Sequence, residues 1–322
     1  MTRGETHAHA KTTTRHRRRP RLGVALGAGS ARGWAHIGVL NALQNAGVAP
    51  DVVCGTSMGA LVGAAYVTGQ LARLERWARS ITRLDILRLL DFYPGRGGFI
   101  AGARLFERLR SADSDKAIED LEIAYAAVAT DFETGREVWL REGSLLEAVR
   151  ASISLPGIFV PARVDGRWLV DGGLVNPVPV SVCRALGADV VIAVNLGGDL
   201  SSRNMQAALP ELAEPTMLEE AISRLPRSLQ ERVRAAAGLL TSSRDRPRAP
   251  GLFDVVAGSI YIMQDRITRD RLAGDPPDVV LSPEVMQIRM LEFDRAAEAI
   301  AAGEASVESA HASIERALRR AR

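Results

Sequence analysis

Hydrophobic residues fall into two spacings along this chain. Short apolar runs at Arg21–Leu26, Asp51–Cys54, Ala124–Ala129, Glu137–Leu140, Arg167–Val170 and Asp189–Asn195 predict strands. Between them, Trp34–Gln44 places Ile37, Leu40 and Leu43 on one face at intervals of three, which predicts a helix. A second helix is predicted over Ala60–Thr68, and Gly47 and Pro50 punctuate the link before the second strand. Strand–helix–strand–helix with short connections predicts an α/β fold, a mostly parallel sheet with helices on both faces. Gly95–Gly102, with four glycines, reads as a mobile loop.

The pattern changes from about Gly197 to Gly251. Leu225, Leu229 and Val233 recur every fourth position beside Arg227, Arg232 and Arg234, which predicts a basic amphipathic helix, packed on the core or lying on a surface. Gly251–Ile262 and Asp278–Leu281 return to strand-like composition, and Phe293–Arg322 is an Ala/Glu/Arg-rich helical tail. The expected organisation is a basic disordered tail (1–20), a core (21–198), a helical insertion or lid (199–250) and a C-terminal part of the same domain (251–322).

Composition narrows the class. A chain of 322 residues with 47% hydrophobic and 25% charged residues is an ordinary globular protein, neither collagen-like nor disordered throughout. The longest apolar stretch, near Gly59–Val67, is short of the roughly 18 residues that a spanning helix needs. Cys54 and Cys183 make neither a disulfide framework nor a zinc ligand set, and no metal or cofactor is expected. The net charge of +3 is uneven: residues 1–21 carry seven basic side chains against Glu5 alone, while the remainder is slightly acidic. The run Arg15–Arg19 suits an anionic membrane surface, and no nucleic-acid partner is expected. No signal-length apolar run follows it, so the expected location is cytoplasmic, with peripheral contact at the inner membrane face.

Three sites carry candidate chemistry. Gly27-Ala28-Gly29-Ser30-Ala31-Arg32-Gly33 joins a strand to a helix. Glycines there permit positive φ and turn N–H groups inward, and the helix start adds the positive end of its dipole. The loop therefore suits an anion, either a pyrophosphate or a developing oxyanion. The dinucleotide fingerprint fits poorly, because the third glycine comes one residue late and Asp51 precedes the second strand. A P-loop is excluded, since Lys11 and Lys116 are the only lysines.

Gly55-Thr56-Ser57-Met58-Gly59 lies between a strand and a helix, the context that a G-x-S-x-G nucleophile elbow requires. The plainer alternative is a turn in which Ser57 caps the helix. A base must be found for Ser57. Of the five histidines, His7, His9 and His16 lie in the tail and His36 reads as a packed or capping side chain. His311 completes the order Ser57, Asp171, His311 of a triad, but within a helical run rather than on a loop. Asp171-Gly172-Gly173, at the end of a strand, supplies another base if burial raises its proton affinity; alternatively it makes only a turn.

Together the three sites resemble the patatin-like phospholipase family, with its G-x-G-x-x-R-G loop, G-x-S-x-G elbow and D-G-G/A aspartate in that order. The surroundings resemble the bacterial branch related to the neuropathy-target-esterase catalytic domain: Arg32-Gly33-Trp34-Ala35-His36-Ile37-Gly38-Val39-Leu40, Ala129-Thr130-Asp131 with Thr134-Gly135, and Ser154-Leu155-Pro156-Gly157-Ile158-Phe159. The resemblance covers about residues 21–198. It implies a three-layer patatin-like fold and a serine hydrolase of lipid esters, of phospholipase A or lysophospholipase type. In that reading Ser57 is the nucleophile and Asp171 its base. Gly27, Gly29, Ser30, Ala31, Arg32 and Gly33 form the oxyanion loop, with the N–H groups of Gly29, Ser30 and Ala31 as donors. Gly55 and Gly59 flank the elbow, and Gly172 and Gly173 follow the aspartate. The alternative is a non-catalytic module that holds a lipid or phosphate with the same glycine loops.

Overall fold

A strand covered on both faces has no polar position to spare, and β1 (Leu22–Leu26) and β2 (Val52–Thr56) are buried along their whole lengths. A computed structural model describes residues 19–89, 116–198 and 252–321, with Glu107 and Gln230. After β1, a 3-10 turn (Ser30–Trp34) leads into α1 (Ala35–Asn45), and β2 leads into α2 (Met58–Val67). Helices α3 (Leu71–Ser80) and α4 (Arg83–Leu89) follow. Next come β3 (Ala124–Asp131), β4 (Glu137–Leu140), α5 (Leu145–Ser152), β5 (Ala162–Val164), β6 (Arg167–Asp171), α6 (Val180–Ala185) and β7 (Val190–Val194). The C-terminal part adds α7 (Leu252–Gly274), β8 (Val279–Leu281) and α8 (Ala296–Arg320).

The strands form one sheet in the order β5-β6-β3-β2-β1-β7-β8, with β4 also on β3. From β3 through β2, β1 and β7 to β8 every pairing is parallel. Strands β4, β5 and β6 join antiparallel. The mixed, mostly parallel three-layer α/β fold expected from the sequence is the one observed. One apolar cluster packs α1, α2, α5 and α8 on one face through Leu26, Ile37, Val62, Val149 and Ile300. A smaller one packs α6 on the other through Cys54, Val128, Val180 and Cys183. Helix α8 crosses α1 backbone to backbone, since a Cβ on Gly38 would stand 1.9 Å from the carbonyl oxygen of Ile300.

The register of β3 decides where the site falls. Ala127 and Val128 pair with both β2 and β4, and Ala129 and Thr130 with both β4 and β6. A strand residue has one neighbour on each side, so β4 fills one edge of β3, and β2 and β6 share the other. They run toward each other along it: Thr56 pairs with Val128 and Asp171 with the next residue, Ala129. The ends of β2 and β6 therefore meet head to head.

One segment departs from expectation. Gly251–Ile262 reads as a strand because Val255, Val256, Ile260 and Ile262 are β-branched, yet α7 runs as one helix from Leu252 to Gly274. An apolar run cannot by itself distinguish the two, and the charged continuation through Arg271 carries the helical period onward. Of the basic side chains in residues 1–21, Arg19 donates to Asp51 at 2.6 Å and Arg21 to the Leu186 carbonyl oxygen at 3.0 Å. Residues 1–18, the stretch expected as a Gly95–Gly102 loop and, apart from Gln230, the stretch expected as a Leu225–Val233 helix lie outside the described residues. Among the described residues no helix is long and apolar enough to cross a membrane.

Candidate active site

The turn from β2 into α2 places Ser57 at φ 56°, ψ −123°, a left-handed conformation that costs a β-carbon residue on the order of 1–3 kcal/mol. The flanking glycines make this turn fit. A Cβ on Gly55 would lie 2.4 Å from the backbone of Gly59 and Ala60, and one on Gly59 would lie 2.1 Å from the Leu26 carbonyl oxygen. The alternative of Ser57 as a helix cap does not hold, because its side chain makes no capping bond. Instead Ser57 Oγ donates to Asp171 Oδ2 at 2.6 Å. The Ser57 N–H donates to Ser152 Oγ at 2.9 Å, and Ser152 in turn donates to the Val128 carbonyl oxygen at 2.6 Å. Ser152, at the end of α5, thus ties the elbow to β3.

Asp171 is 1% exposed and Ser57 8%. Burial pushes the Asp171 carboxyl up to about 6, against the opposing effect of bonds from Ser57 and the Gly173 N–H. That N–H reaches Oδ1 at 2.7 Å, so both carboxylate oxygens are held. The Asp171 main chain is fixed as well, its N–H by the Ser154 carbonyl oxygen at 2.9 Å and its carbonyl oxygen by Thr130 Oγ1 at 2.8 Å. Gly172 lets β6 turn against β3, since a Cβ there would stand 2.2 Å from the Val128 carbonyl oxygen. Gly173 packs on Gln264 of α7. His311 stands apart on the solvent side of α8, beside Glu315 at 3.3 Å.

The glycine loop differs from expectation in how it is built. Its positive φ belongs to Ser30, at 48°, and to none of its glycines. The glycines serve close approach instead. A Cβ would meet the Val194 carbonyl oxygen at Gly27, the Leu196 side chain at Gly29 and Met58 at Gly33, all within 2.7 Å. Most N–H groups of the loop are spoken for: Gly27 donates to Val194, Ala28 to Pro177, Ala31 to Met290 and Arg32 to Gly29. Ala31 is therefore not a free donor. Among the described residues, the N–H groups of Gly29 and Ser30 have no acceptor.

Arg32 is turned into the protein. It is 2% exposed, with Nε on the Ile288 carbonyl oxygen at 2.7 Å, Nη1 on the Tyr261 hydroxyl, and its guanidinium 4.7 Å above the Tyr261 ring. Burial holds the arginine below its usual value and pushes Tyr261 up. The contact ties the loop to α7, and Tyr261 escaped sequence reasoning because it lies in the stretch that reads as a strand. Ser152 carries no local sequence signal. His36, 0% exposed, directs Nε2 to the Gly27 carbonyl oxygen at 2.7 Å. It is a packed side chain, as expected, with a polar partner that spacing alone does not reveal.

The arrangement sets a buried serine against a carboxylate of raised proton affinity, beside a loop with two free N–H groups. Comparison with known proteins agrees with these motifs. The family described as patatin-like phospholipase matches residues 24–184. An uncharacterized NTE family protein of Mycobacterium tuberculosis is 36% identical over 329 aligned positions, covering 89% of this chain and 90% of that one. The human patatin-like phospholipase domain-containing protein 6 is 39% identical over 184 positions, 55% of this chain and 13% of that protein. The Drosophila melanogaster neuropathy target esterase sws matches to the same extent, 39% over 184 positions. With its fold, its three motifs in order and these relatives, the chain belongs to the patatin-like phospholipase family.

Proposed function

We propose that the protein is a serine acyl-ester hydrolase that acts on lipids, of phospholipase A or lysophospholipase type, through a Ser57–Asp171 dyad. The observation that carries the reading is the 2.6 Å bond from Ser57 Oγ to a buried carboxylate held by burial near neutrality. A carboxylate at its ordinary value is too weak a base for a serine hydroxyl, and one raised to about 6 is still ionised at neutral pH and better matched to the task. Ser57 Oγ attacks the ester carbonyl carbon while its proton passes to Asp171 Oδ2. The carbonyl oxygen becomes an oxyanion, held by the N–H groups of Gly29 and Ser30. Collapse expels the alcohol, which takes the proton from Asp171, and leaves an acyl-serine. Water then adds in the same way, giving the fatty acid and free Ser57.

The names of the relatives, a phospholipase-domain protein and an esterase, support a lipid ester as the substrate class. Contact with the membrane is then peripheral, at a cytoplasmic face, and the basic run before β1 is its proposed aid. The test is fatty-acid release from phosphatidylcholine and lysophosphatidylcholine, with fluorophosphonate labelling of the same samples. In Ser57→Ala both signals are expected to vanish, release falling by about 10⁴-fold or more. A folded wild type that neither releases fatty acid nor takes the label would favour the binding module instead.

A further inference from the structure

We infer that His36 is a positioning residue that fixes the oxyanion loop against the nucleophile elbow, an inference that rests on the hydrolase reading above. His36 occupies the first turn of α1, directly after the loop, and its ring is wholly buried. Its Nε2 lies 2.7 Å from the Gly27 carbonyl oxygen. A carbonyl only accepts, so Nε2 carries the proton, and the tautomer follows from the partner. The other ring nitrogen, Nδ1, is buried and has no partner. A second proton on the ring would be buried without an acceptor, and burial accordingly holds His36 down at about 4, neutral at any pH where the dyad works. The ring is thus a single-donor device with one target.

That target is where the loop and the elbow meet. The Gly27–Ala28 peptide is held at both poles, its carbonyl oxygen by His36 and its N–H by the Pro177 carbonyl oxygen at 2.8 Å. The same carbonyl lies against the elbow: a Cβ on Gly59 would stand 2.8 Å from the Gly27 oxygen. The His36 bond therefore helps to fix the plane of the Gly27–Ala28 peptide, one peptide before the Gly29 N–H, and holds its oxygen where the loop meets α2. Downstream the loop is pinned again, by Ala31 on Met290 and Arg32 on Ile288. Gly29 and Ser30, between the two anchors, keep their N–H groups free. Without the donor on Nε2, the Gly27 peptide loses one pole and can rotate, carrying the Gly29 donor off its line. Those donors are used by the oxyanion and hardly at all by the ground-state ester, so the loss should fall on kcat and not on KM.

The test uses the full chain and three variants. His36→Phe keeps an aromatic ring and removes the donor, His36→Met does the same with a more adaptable side chain, and His36→Gln returns an N–H donor. Ester hydrolysis, inhibition by a trifluoromethyl ketone that mimics the tetrahedral adduct, and Tm are measured on each. In Phe or Met, kcat is expected to fall by about 10²–10³-fold with KM within twofold, and the ketone to bind more weakly by a similar factor. Gln should recover at least tenfold in kcat over the apolar variants. Unchanged kcat in either folded apolar variant would overturn the inference. So would a loss that tracks Tm and is not rescued by Gln, or failure of both apolar variants to fold, since His36 would then serve packing alone. If the wild type hydrolyses no ester and Ser57→Ala changes nothing, the hydrolase reading itself fails and takes this inference with it.

Discussion

The two ends that meet on β3 are built differently. At the end of β2 the chain is fixed backbone against backbone: Gly59 sits where a Cβ would come within 2.1 Å of the Leu26 carbonyl oxygen, and Gly55 is as tightly enclosed. At the end of β6, Gly172 also packs closely, 2.2 Å for an added Cβ from the Val128 carbonyl oxygen, but Asp171 itself is placed by hydrogen bonds, from Thr130 Oγ1 to its carbonyl oxygen, from its own N–H to Ser154, and from the Gly173 N–H to its carboxylate. A backbone contact cannot yield without moving a strand, whereas a hydrogen bond can be lost for about 1 kcal/mol. The parallel half thus carries Ser57, the proposed nucleophile, on a frame that admits almost no change. The antiparallel half carries Asp171, the proposed base, whose proton affinity is set by burial and whose carboxylate is placed by hydrogen-bond partners.

Of the variants that separate the two ends, Asp171→Asn should have the largest effect, since it keeps the shape of the proposed base and removes its function. Activity should fall by about 10³–10⁴-fold, and stability should move the other way. The folded-state pKa is raised from 3.8 to about 6, so the folded chain holds this proton more tightly than the unfolded chain does. The contribution of the wild-type carboxyl therefore favours the fold below about pH 4 and is lost as pH rises through 6. The Asn variant should gain about 2–3 kcal/mol over wild type at pH 8 and little at pH 4, read from denaturant unfolding at the two pH values. His36 titrates in the opposite sense: neutral in the fold and held down at about 4, it favours the fold as pH rises toward 6.5. Its contribution is common to both proteins and cancels in their difference. In wild type, kcat/KM should rise with pH through about 6, as Asp171 ionises. A flat profile between pH 5 and 7 would remove Asp171 from the role of base.

Next in size is Gly59→Ala, which tests the rigid half. The added methyl would meet the Leu26 carbonyl carbon and oxygen at 2.5 and 2.1 Å, and neither is the end of a flexible side chain. A loss of about 3 kcal/mol is expected, with a Tm drop of several degrees and activity reduced by more than 100-fold. Wild-type Tm and kcat in this variant would mean that the elbow can shift, and that it is no more rigid than the hydrogen-bonded end of β6.

Much of the rigid half is legible in the sequence because its constraints are local. Gly55-Thr56-Ser57-Met58-Gly59 announces its turn, and the β1–loop–α1 unit places three glycines where a strand end passes close to its neighbours. Strand Glu137–Leu140 falls where its alternation puts it. The other half depends on register. Nothing local says that β6 runs antiparallel on the same edge of β3 as β2, so the meeting of Ser57 with Asp171 follows from the family resemblance and not from periodicity. The α7 segment misleads because β-branched residues in its first half outweigh the polar second half. The partners of His36 and Arg32 are choices of individual hydrogen bonds, to Gly27 nine residues back across the loop and to Ile288 and Tyr261 in the C-terminal part. Residue spacing carries no record of such choices.

The smallest effect, and the sharpest test of the contrast, is Thr130→Val. The substitution keeps the branched shape of a buried strand residue and deletes one donor to the Asp171 main-chain oxygen. The carboxylate is untouched: Oδ2 still faces Ser57, Oδ1 still accepts from Gly173, and its burial is unchanged. The cost should therefore be about 1 kcal/mol in stability, with kcat/KM reduced by a few fold at most and the midpoint of the pH profile still near 6. Thermal unfolding and a pH–rate profile on the same preparation are enough to read it. If instead activity fell a hundredfold or the midpoint moved by a unit, the base would be held as exactingly as the nucleophile. The threonine of the Ala129-Thr130-Asp131 stretch would then belong to the machinery that tunes Asp171 and not only to the strand that carries it.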